Sequence, residues 1–418
     1  MIHKTAIIDP KAKIFSNVKI GMASADGTIG LEAQSDQTGL ITINAADSTL
    51  NFAGSNLNLR GSGGTATIST PINTSGGQDH NLIVEGTAIN LDASVSTDSG
   101  DVTFTGPVEI NGAIAIDTEN GDNHAGGNVS FSSTVVAQDG SSDSLAIDAT
   151  GSSHGTVTIS GNVGDGTTAN DLDGFTITQA SVADLANVQV DAQNIAITSA
   201  DIDLNGNTYK ANTSGTITFT GPVGLDASAG TVTIQTAGAD ADDITFSGTT
   251  STIDDSSSNN TLVINTGAEG DVSFGASIGA GTPIGAITMS TVDNVAIAGN
   301  AITSAGAITI TGDATDAITL TGTSNTTAIT SGGADNEDIT IAGIVNDASS
   351  DTILSLVGGA SGDVTLSSAV GGTNALDGFK IQSAQNVSLG AVTVDGAAGT
   401  NTIDLGATSA IDGTVTLN

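Results

Sequence analysis

Apolar and polar positions alternate in short bursts along most of this chain, and Gly, Asn, Asp or Ser separates one burst from the next. The commonest burst is a five-residue phrase: Gly, a small or polar residue, Val or Ile, Thr or Ser, then a large apolar residue. It reads Gly100-Asp101-Val102-Thr103-Phe104 and Gly127-Asn128-Val129-Ser130-Phe131. It recurs at Gly155–Ile159, Gly215–Phe219, Gly230–Ile234, Gly270–Phe274, Gly362–Leu366 and Gly413–Leu417. Period-2 alternation predicts a strand with apolar side chains on one face and hydroxyls on the other, entered through a glycine turn. Such strands return at short intervals: Ile308, Ile318, Ile329 and Ile339 are spaced by 10, 11 and 10. A chain that repeats one short strand this often stacks it. The pattern therefore predicts an all-β fold, a parallel β-helix or related β-solenoid, right-handed in its main body, with two or three strands in each coil of about 20–30 residues. About 15–20 coils, each rising by the strand spacing, would make a rod on the order of 70–100 Å long.

A longer unit sits above the strand repeat. One copy runs through Gly155–Ser160, Val163-Gly164, Leu172-Asp173-Gly174-Phe175 and Val188-Gln189-Val190. Another runs through Gly362–Ser367, Val370-Gly371, Leu376-Asp377-Gly378-Phe379 and Val387-Ser388-Leu389. A weaker third runs from Gly270 through Ile278-Gly279 and Ile284-Gly285-Ala286-Ile287 to Val295-Ala296-Ile297. Each follows a similar strand: Leu145-Ala146-Ile147, Ile353-Leu354-Ser355-Leu356 and Leu262-Val263-Ile264. The expectation is a duplicated, drifted module of about 45–50 residues, near 143–190, 261–299 and 351–394. Pro107 and Pro222 fall at the same place, after a strand and its Gly. There the chain turns a corner and no ladder donor is needed.

Composition fits this picture. The 418 residues include 55 Gly, nine Phe, Tyr209 as the one Tyr, and no Trp. A core one coil thick holds Val, Ile, Leu and Ala and an occasional ring, and β-branched residues outnumber good helix formers. The formal net charge is −38, which argues against nucleic acid and against an anionic membrane surface, since both are bound through clustered Lys and Arg. Two readings of the acidity stay open: a solvating coat that keeps β surfaces apart, or Asp clusters that bind Ca²⁺. The absence of Cys excludes a disulfide scaffold, thiolate chemistry and Cys-based zinc sites. There is no run of 18 apolar residues, so no transmembrane helix and no membrane insertion by this segment are expected, and the first residues do not show the basic-then-apolar pattern expected of a signal peptide.

The first 21 residues are of another kind. They hold Lys4, Lys11, Lys13 and Lys19 with Asp9 as their only acid, whereas residues 22–418 carry 44 acids against Arg60, Lys210 and Lys380. Ala6, Ala12 and Val18 are six apart, as are Ile8, Ile14 and Ile20. This hexad, and above all Met1-Ile2-His3-Lys4-Thr5-Ala6-Ile7-Ile8-Asp9-Pro10, resembles the opening coil of left-handed hexapeptide-repeat UDP-N-acetylglucosamine acyltransferases. The likeness stops at residue 21, and the family's catalytic His region has no counterpart, so its activity is not carried over. Residues 1–21 are read as a foreign or fused end cap over the exposed strand edge of a different solenoid, residues 22–418. The alternative is a β-rich leader of no separate origin.

Residues 25–418 resemble, in repeat style, the repeat regions of bacterial filamentous-haemagglutinin-like and autotransporter-passenger surface adhesins. The likeness is carried by Gly-Asp-Val-Thr-Phe-Thr-Gly-Pro-Val at 100–108, its near copy at 215–223, and the Val-Gly…Leu-Asp-Gly-Phe pattern. It implies an extracellular or cell-surface location in bacteria. The family's secretion-signal domain and membrane β-barrel are not seen here, so the chain is expected to be a segment of a longer protein.

Candidate chemistry is sparse. His3, His80, His124 and His154 are far apart in Gly-rich, polar surroundings and are read as surface loop residues, no two at metal-ligand spacing. No Gly-x-Ser-x-Gly elbow joins a strand to a helix. Asp pairs could serve glycoside hydrolysis, but the aromatic and basic residues that hold sugars are nearly missing. Asp240, Asp242 and Asp243, and Asp335, Glu337 and Asp338, could supply oxygen ligands to Ca²⁺ or could be solvated turn acids. Thr103/Thr105, Thr218/Thr220, Thr309/Thr311 and Thr319/Thr321 should point outward, as in ice-binding solenoids or on any polar strand face. The expectation is a non-enzymatic, structural and adhesive stalk or fibre segment, with no catalytic residue, no assigned metal ligand and no cofactor beyond the Ca²⁺ alternative. Its partners would be host or neighbouring-cell receptors or glycans, or copies of itself. The competing expectations are a self-assembling extracellular filament and a solenoid that binds glycan, calcium or ice.

Overall fold

Where the repeated phrase predicts a strand, a strand forms. In the computed structural model every regular element among the described residues is a β-strand, and the strand-to-strand pairings are parallel. The structure describes residues 27–33, 41–43, 50–51, 55–406 and 415–417. Within 55–406 it leaves out 74–79, 120, 122–123, 140–141, 229, 257–258, 313–316, 323–325, 349–351 and 396–401. The proposed cap at residues 1–21 lies outside the described residues. The fold is the expected parallel β-solenoid. Two compact units are distinguished, Met1–Ala192 with Ala196–Ala200, and Gln193–Ile195 with Asp201–Asn418. No helix among the described residues is long and apolar enough to cross a membrane.

Each unit is built from coils with three strand faces. In the first unit one face stacks Gly27–Ala33, the start of Ser55–Ile68, the start of Leu82–Leu91, Val102–Thr105, Val129–Phe131, Thr156–Ile159 and Val182–Leu185. A second face stacks Ile41–Ile43, the ends of the two long strands, Val108–Ile110 and Val135–Ala137. The third stacks Leu50–Asn51, Ile72–Asn73, Val95–Ser96, Ala113–Asp117, Ser144–Asp148 and Gly174–Ala180. The second unit repeats the scheme. Ile308, Ile318, Ile329 and Ile339 fall on successive faces, and Ile339 stacks on Ile308 after one full coil. Coil length is not constant. Between paired strands the offset runs from 19 (Ile89 with Val108) to 31 (Ile308 with Ile339), and the corners absorb the difference.

The core follows from the alternation. Val102 and Phe104 stack under Val129 and Phe131, and those under Val157 and Ile159, all at most 1% exposed. In the second unit Phe219, Phe246 and Phe274 lie in register with Ile297 and Leu320. Stacked parallel strands place like side chains about 4.8 Å apart, so rings meet face to face. The centroids of Phe219, Phe246 and Phe274 are 5.4 and 5.3 Å apart, and those of Phe104 and Phe131 are 4.8 Å apart. Each fully buried Val, Ile, Leu or Phe contributes roughly 1.5–3 kcal/mol.

Candidate functional site

In three copies of the phrase, those at 100, 127 and 155, the first position is Gly because adjacent coils touch there. A Cβ on Gly100 would lie 2.0 Å from the carbonyl oxygen of His80, one on Gly127 2.2 Å from that of Gly100, and one on Gly155 2.0 Å from that of Gly127. The three form one column, each filling the space that a side chain on the next would need.

The second position carries a hydrogen-bond ladder between coils. Asn56 Oδ1 accepts the N–H of Asn81 (2.8 Å), Asn81 Oδ1 that of Asp101 (2.7 Å), Asp101 Oδ1 that of Asn128 (2.8 Å), and Asn128 Oδ1 that of Thr156 (2.9 Å). In the second unit Asp243 accepts from Asp271 (2.9 Å), Asp271 from Asn294 (3.0 Å) and Asn294 from Ala317 (3.2 Å). Asp338 accepts from Asp363 (2.8 Å), and Asp363 from the backbone and side-chain nitrogens of Asn386 (3.0 and 2.8 Å). These N–H groups stand just before or at the first residue of a strand, and the ladder satisfies them where the backbone enters its sheet. A short side chain with an sp² oxygen reaches the next coil's N–H, which explains why Asp and Asn recur at this position.

A third use of Asp was not foreseen. The sequence reading placed only apolar residues inside, yet Asp143, Asp171, Asp242, Asp255 and Asp347 are all at most 3% exposed. Each caps a corner. Asp143 accepts from the N–H groups of Gly112, Gln138 and Asp139, and Asp171 from those of Asp165 and Gly166. Asp255 accepts from Asn260 and Asp347 from Thr352. A buried carboxylate is tolerable when it collects charge-assisted bonds from backbone donors.

The acidic clusters considered for Ca²⁺ are turned largely to the same work. Asp242 accepts from the N–H groups of Gly215 and Ala239, Asp243 from Asp271, Glu337 from Ala334 and Asp338 from Asp363, while Asp240 and Asp335 are exposed. The outward threonines sit where alternation puts them, none of the four pairs being buried. In the second unit one column runs outward through Thr288, Thr309, Thr340, Thr365 and Ser388. The Thr-x-Thr spacing is not kept along it, because Ala342 follows Thr311.

The three module stretches share local geometry. Gly164, Gly279 and Gly371 have φ of 68°, 64° and 67°, a region that favours Gly. The residue before each bridges coils on both sides: Val163 to Val135 and Val188, Ile278 to Ile253 and Ile302, Val370 to Val345 and Val392. The strand after the corner stacks on the strand that precedes the stretch, as Leu145 with Phe175, Leu262 with Ile287 and Leu354 with Phe379. Pro107 and Pro222 likewise share a corner, each after a Gly at φ of 129° or 135° and each with its carbonyl accepting from the coil before.

One group of side chains was missed. Asp98, Glu119 and His124 bring a ligand atom each to within 4.8 Å of one another. They lie at one corner of the first unit, where the third face gives way to the next phrase. Asp98 bridges Glu119 one coil on. His124 Nδ1 is 2.8 Å from Asp98 Oδ1 and 3.6 Å from Glu119 Oε1, and its N–H donates to Glu119 Oε1 (2.9 Å). The side chains of Glu119, Asp98 and His124 are 1%, 17% and 35% exposed. His124 lies in a loop, as read, but is half-buried rather than fully exposed. His154 is also half-buried, with Nε2 2.9 Å from the amide nitrogen of Gln179, and His80 is half-buried too. Asp98 and Glu119 differ by 21, the offset at which Val95 stacks with Ile116, and only the structure gives that register.

No protein-family model matches this chain, and neither a characterised protein sequence nor a solved structure does.

Proposed function

We propose that this chain is a structural and adhesive segment, a stalk or fibre of a large bacterial cell-surface or secreted protein. The observation that supports it most is that every position of the repeated phrase has a role in stacking. Gly allows contact between coils, Asp or Asn carries the inter-coil ladder, the apolar pair fills the core, and Thr faces out. A unit repeated for stacking builds length and surface. The outward Thr column of the second unit favours a second reading, a solenoid that binds glycan or ice along that face.

Electron microscopy of the purified chain, paired with binding of fluorescent chain to bacterial and animal cells, tests the proposal. Extended rods that bind cells support it. Compact particles, or rods that bind no cell, refute the adhesive stalk. Long filaments point instead to self-assembly, and loss of ice or glycan binding on Thr309→Tyr and Thr340→Tyr supports the second reading.

A further inference from the structure

We infer that Asp98, Glu119 and His124 form a binding site for a zinc-class divalent cation, one that pins the corner loop ending at Gly127 onto the coil beneath it. Three features carry the inference. The ligand atoms, one from each residue, already lie within 4.8 Å of one another, and metal–ligand bonds of about 2.0–2.2 Å set ligand atoms about 3.3–3.6 Å apart. Admitting an ion therefore takes only small movements: the 2.8 Å pair of His124 Nδ1 and Asp98 Oδ1 opens and releases its shared proton, and the wider separations close.

The second feature is an orphaned atom. Glu119 is 2% exposed, and its Oε2 is buried with no hydrogen-bond partner. Glu119 takes one backbone donor, the N–H of His124, on Oε1, and its Oε2 has no hydrogen-bond partner. A buried carboxylate oxygen without a donor is costly, and a cation beside it removes that cost.

The third feature is the way the backbone holds the group. Glu119 N–H donates to Asp117 Oδ1 (3.0 Å), Ser152 N–H to the carbonyl of His124 (2.6 Å), and Gly126 N–H to that of Ser153 (2.8 Å). Thr118 Oγ1 closes the loop on the carbonyl of Gly127 (2.9 Å). The sequence between Thr118 and Gly127 is six residues longer than that between the stacked Thr97 and Gly100, and His124 belongs to the excess.

The donor set selects the ion. One imidazole and two carboxylates suit zinc, cobalt, nickel or manganese, while Ca²⁺ wants six to eight oxygens. The exposed side of His124 leaves room for water to complete the shell. This proposal is separate from the adhesive reading and stands or falls without it.

The test is titration of the full chain with Zn²⁺ by calorimetry and with Co²⁺ by visible absorption, Ca²⁺ serving as comparison. The expected result is one equivalent of Zn²⁺, a Co²⁺ spectrum with nitrogen ligation, and affinity weakened about ten-fold or more in His124→Gln, Glu119→Gln and Asp98→Asn. His80→Gln should bind like the parent. Because His124 is half-exposed, His124→Gln should fold even if Glu119→Gln does not. Zn²⁺ should also slow amide exchange at His124 and Ser152. Zn²⁺ binding unchanged in His124→Gln, or no saturable binding, would overturn the inference and leave a plain His–Asp hydrogen bond. Preference for Ca²⁺ would overturn the choice of ion.

Discussion

Phe246 is the middle ring of a three-ring stack, and replacing it tests how the solenoid holds together. It is 1% exposed, with centroids 5.4 Å from Phe219 and 5.3 Å from Phe274 and interplanar angles of 22° and 10°. Phe246→Ala removes the apolar volume and leaves a cavity, at a cost of about 3–5 kcal/mol. Phe246→Leu keeps most of the volume and loses the two stacking contacts, each about 0.5–1.5 kcal/mol, for a total of about 1–3 kcal/mol. In a stacked array a coil senses mainly its neighbours, so the loss should be local. Native-state amide hydrogen exchange reads this strand by strand, at about 1.4 kcal/mol per ten-fold. Phe246→Ala should speed exchange roughly 10²- to 10⁴-fold in Ile217–Thr220 and Val272–Phe274, the strands paired with its own. Exchange in Val364–Leu366, several coils away, should change by less than about three-fold. An unchanged exchange rate in Phe246→Leu would refute the ring stack as a source of the energy, leaving only buried volume. An even rise across the unit would refute nearest-neighbour coupling.

Three further outcomes are expected. Gly127→Ala should cost about 2 kcal/mol or more in chemical denaturation, since its Cβ would sit 2.2 Å from the carbonyl oxygen of Gly100 and backbone must move; an unchanged midpoint would remove the close-approach account of the phrase. Asp363→Ala should cost about 1–2 kcal/mol by loss of the acceptor for Asn386, and Asp363→Asn much less; equal losses would mean that charge rather than the ladder matters. The exposed Asp165 carboxyl is held below the usual carboxylate range by hydrogen bonds from the Thr167 hydroxyl, the Asn170 amide and the Thr167 N–H. Its folded-state pKa being depressed, its contribution is present above the unfolded value and lost as pH falls through the folded one. Thr167→Val should move the Asp165 NMR titration up toward that unfolded value.

The local reading of the chain served well where one strand was at stake. Val102 and Phe104 point in and Thr103 out because alternation is a property of the extended backbone, present before any coil is stacked. The Val-Gly corners at 163 and 370 and the Ile-Gly corner at 278 were visible as text and share one backbone geometry. The buried Asp residues were not foreseen because composition alone cannot separate a solvated acid from one that caps a corner. Asp242 and Asp240 stand two residues apart, one buried on backbone amides and the other exposed.

By itself, then, the sequence determined the strand, its inward and outward faces, the parallel stacking that repetition demands, and the recurrent corner. Only the tertiary structure decided which residue lies over which. The offset between paired strands varies from 19 to 31 residues because corners take up slack, so no fixed period in the text gives the stacking. The glycine column, the Asp and Asn ladder, the phenylalanine stack and the Asp98–Glu119–His124 group all depend on that registration. Each joins residues 20 or more positions apart, at distances set by the 4.8 Å rise between coils rather than by the chain between them.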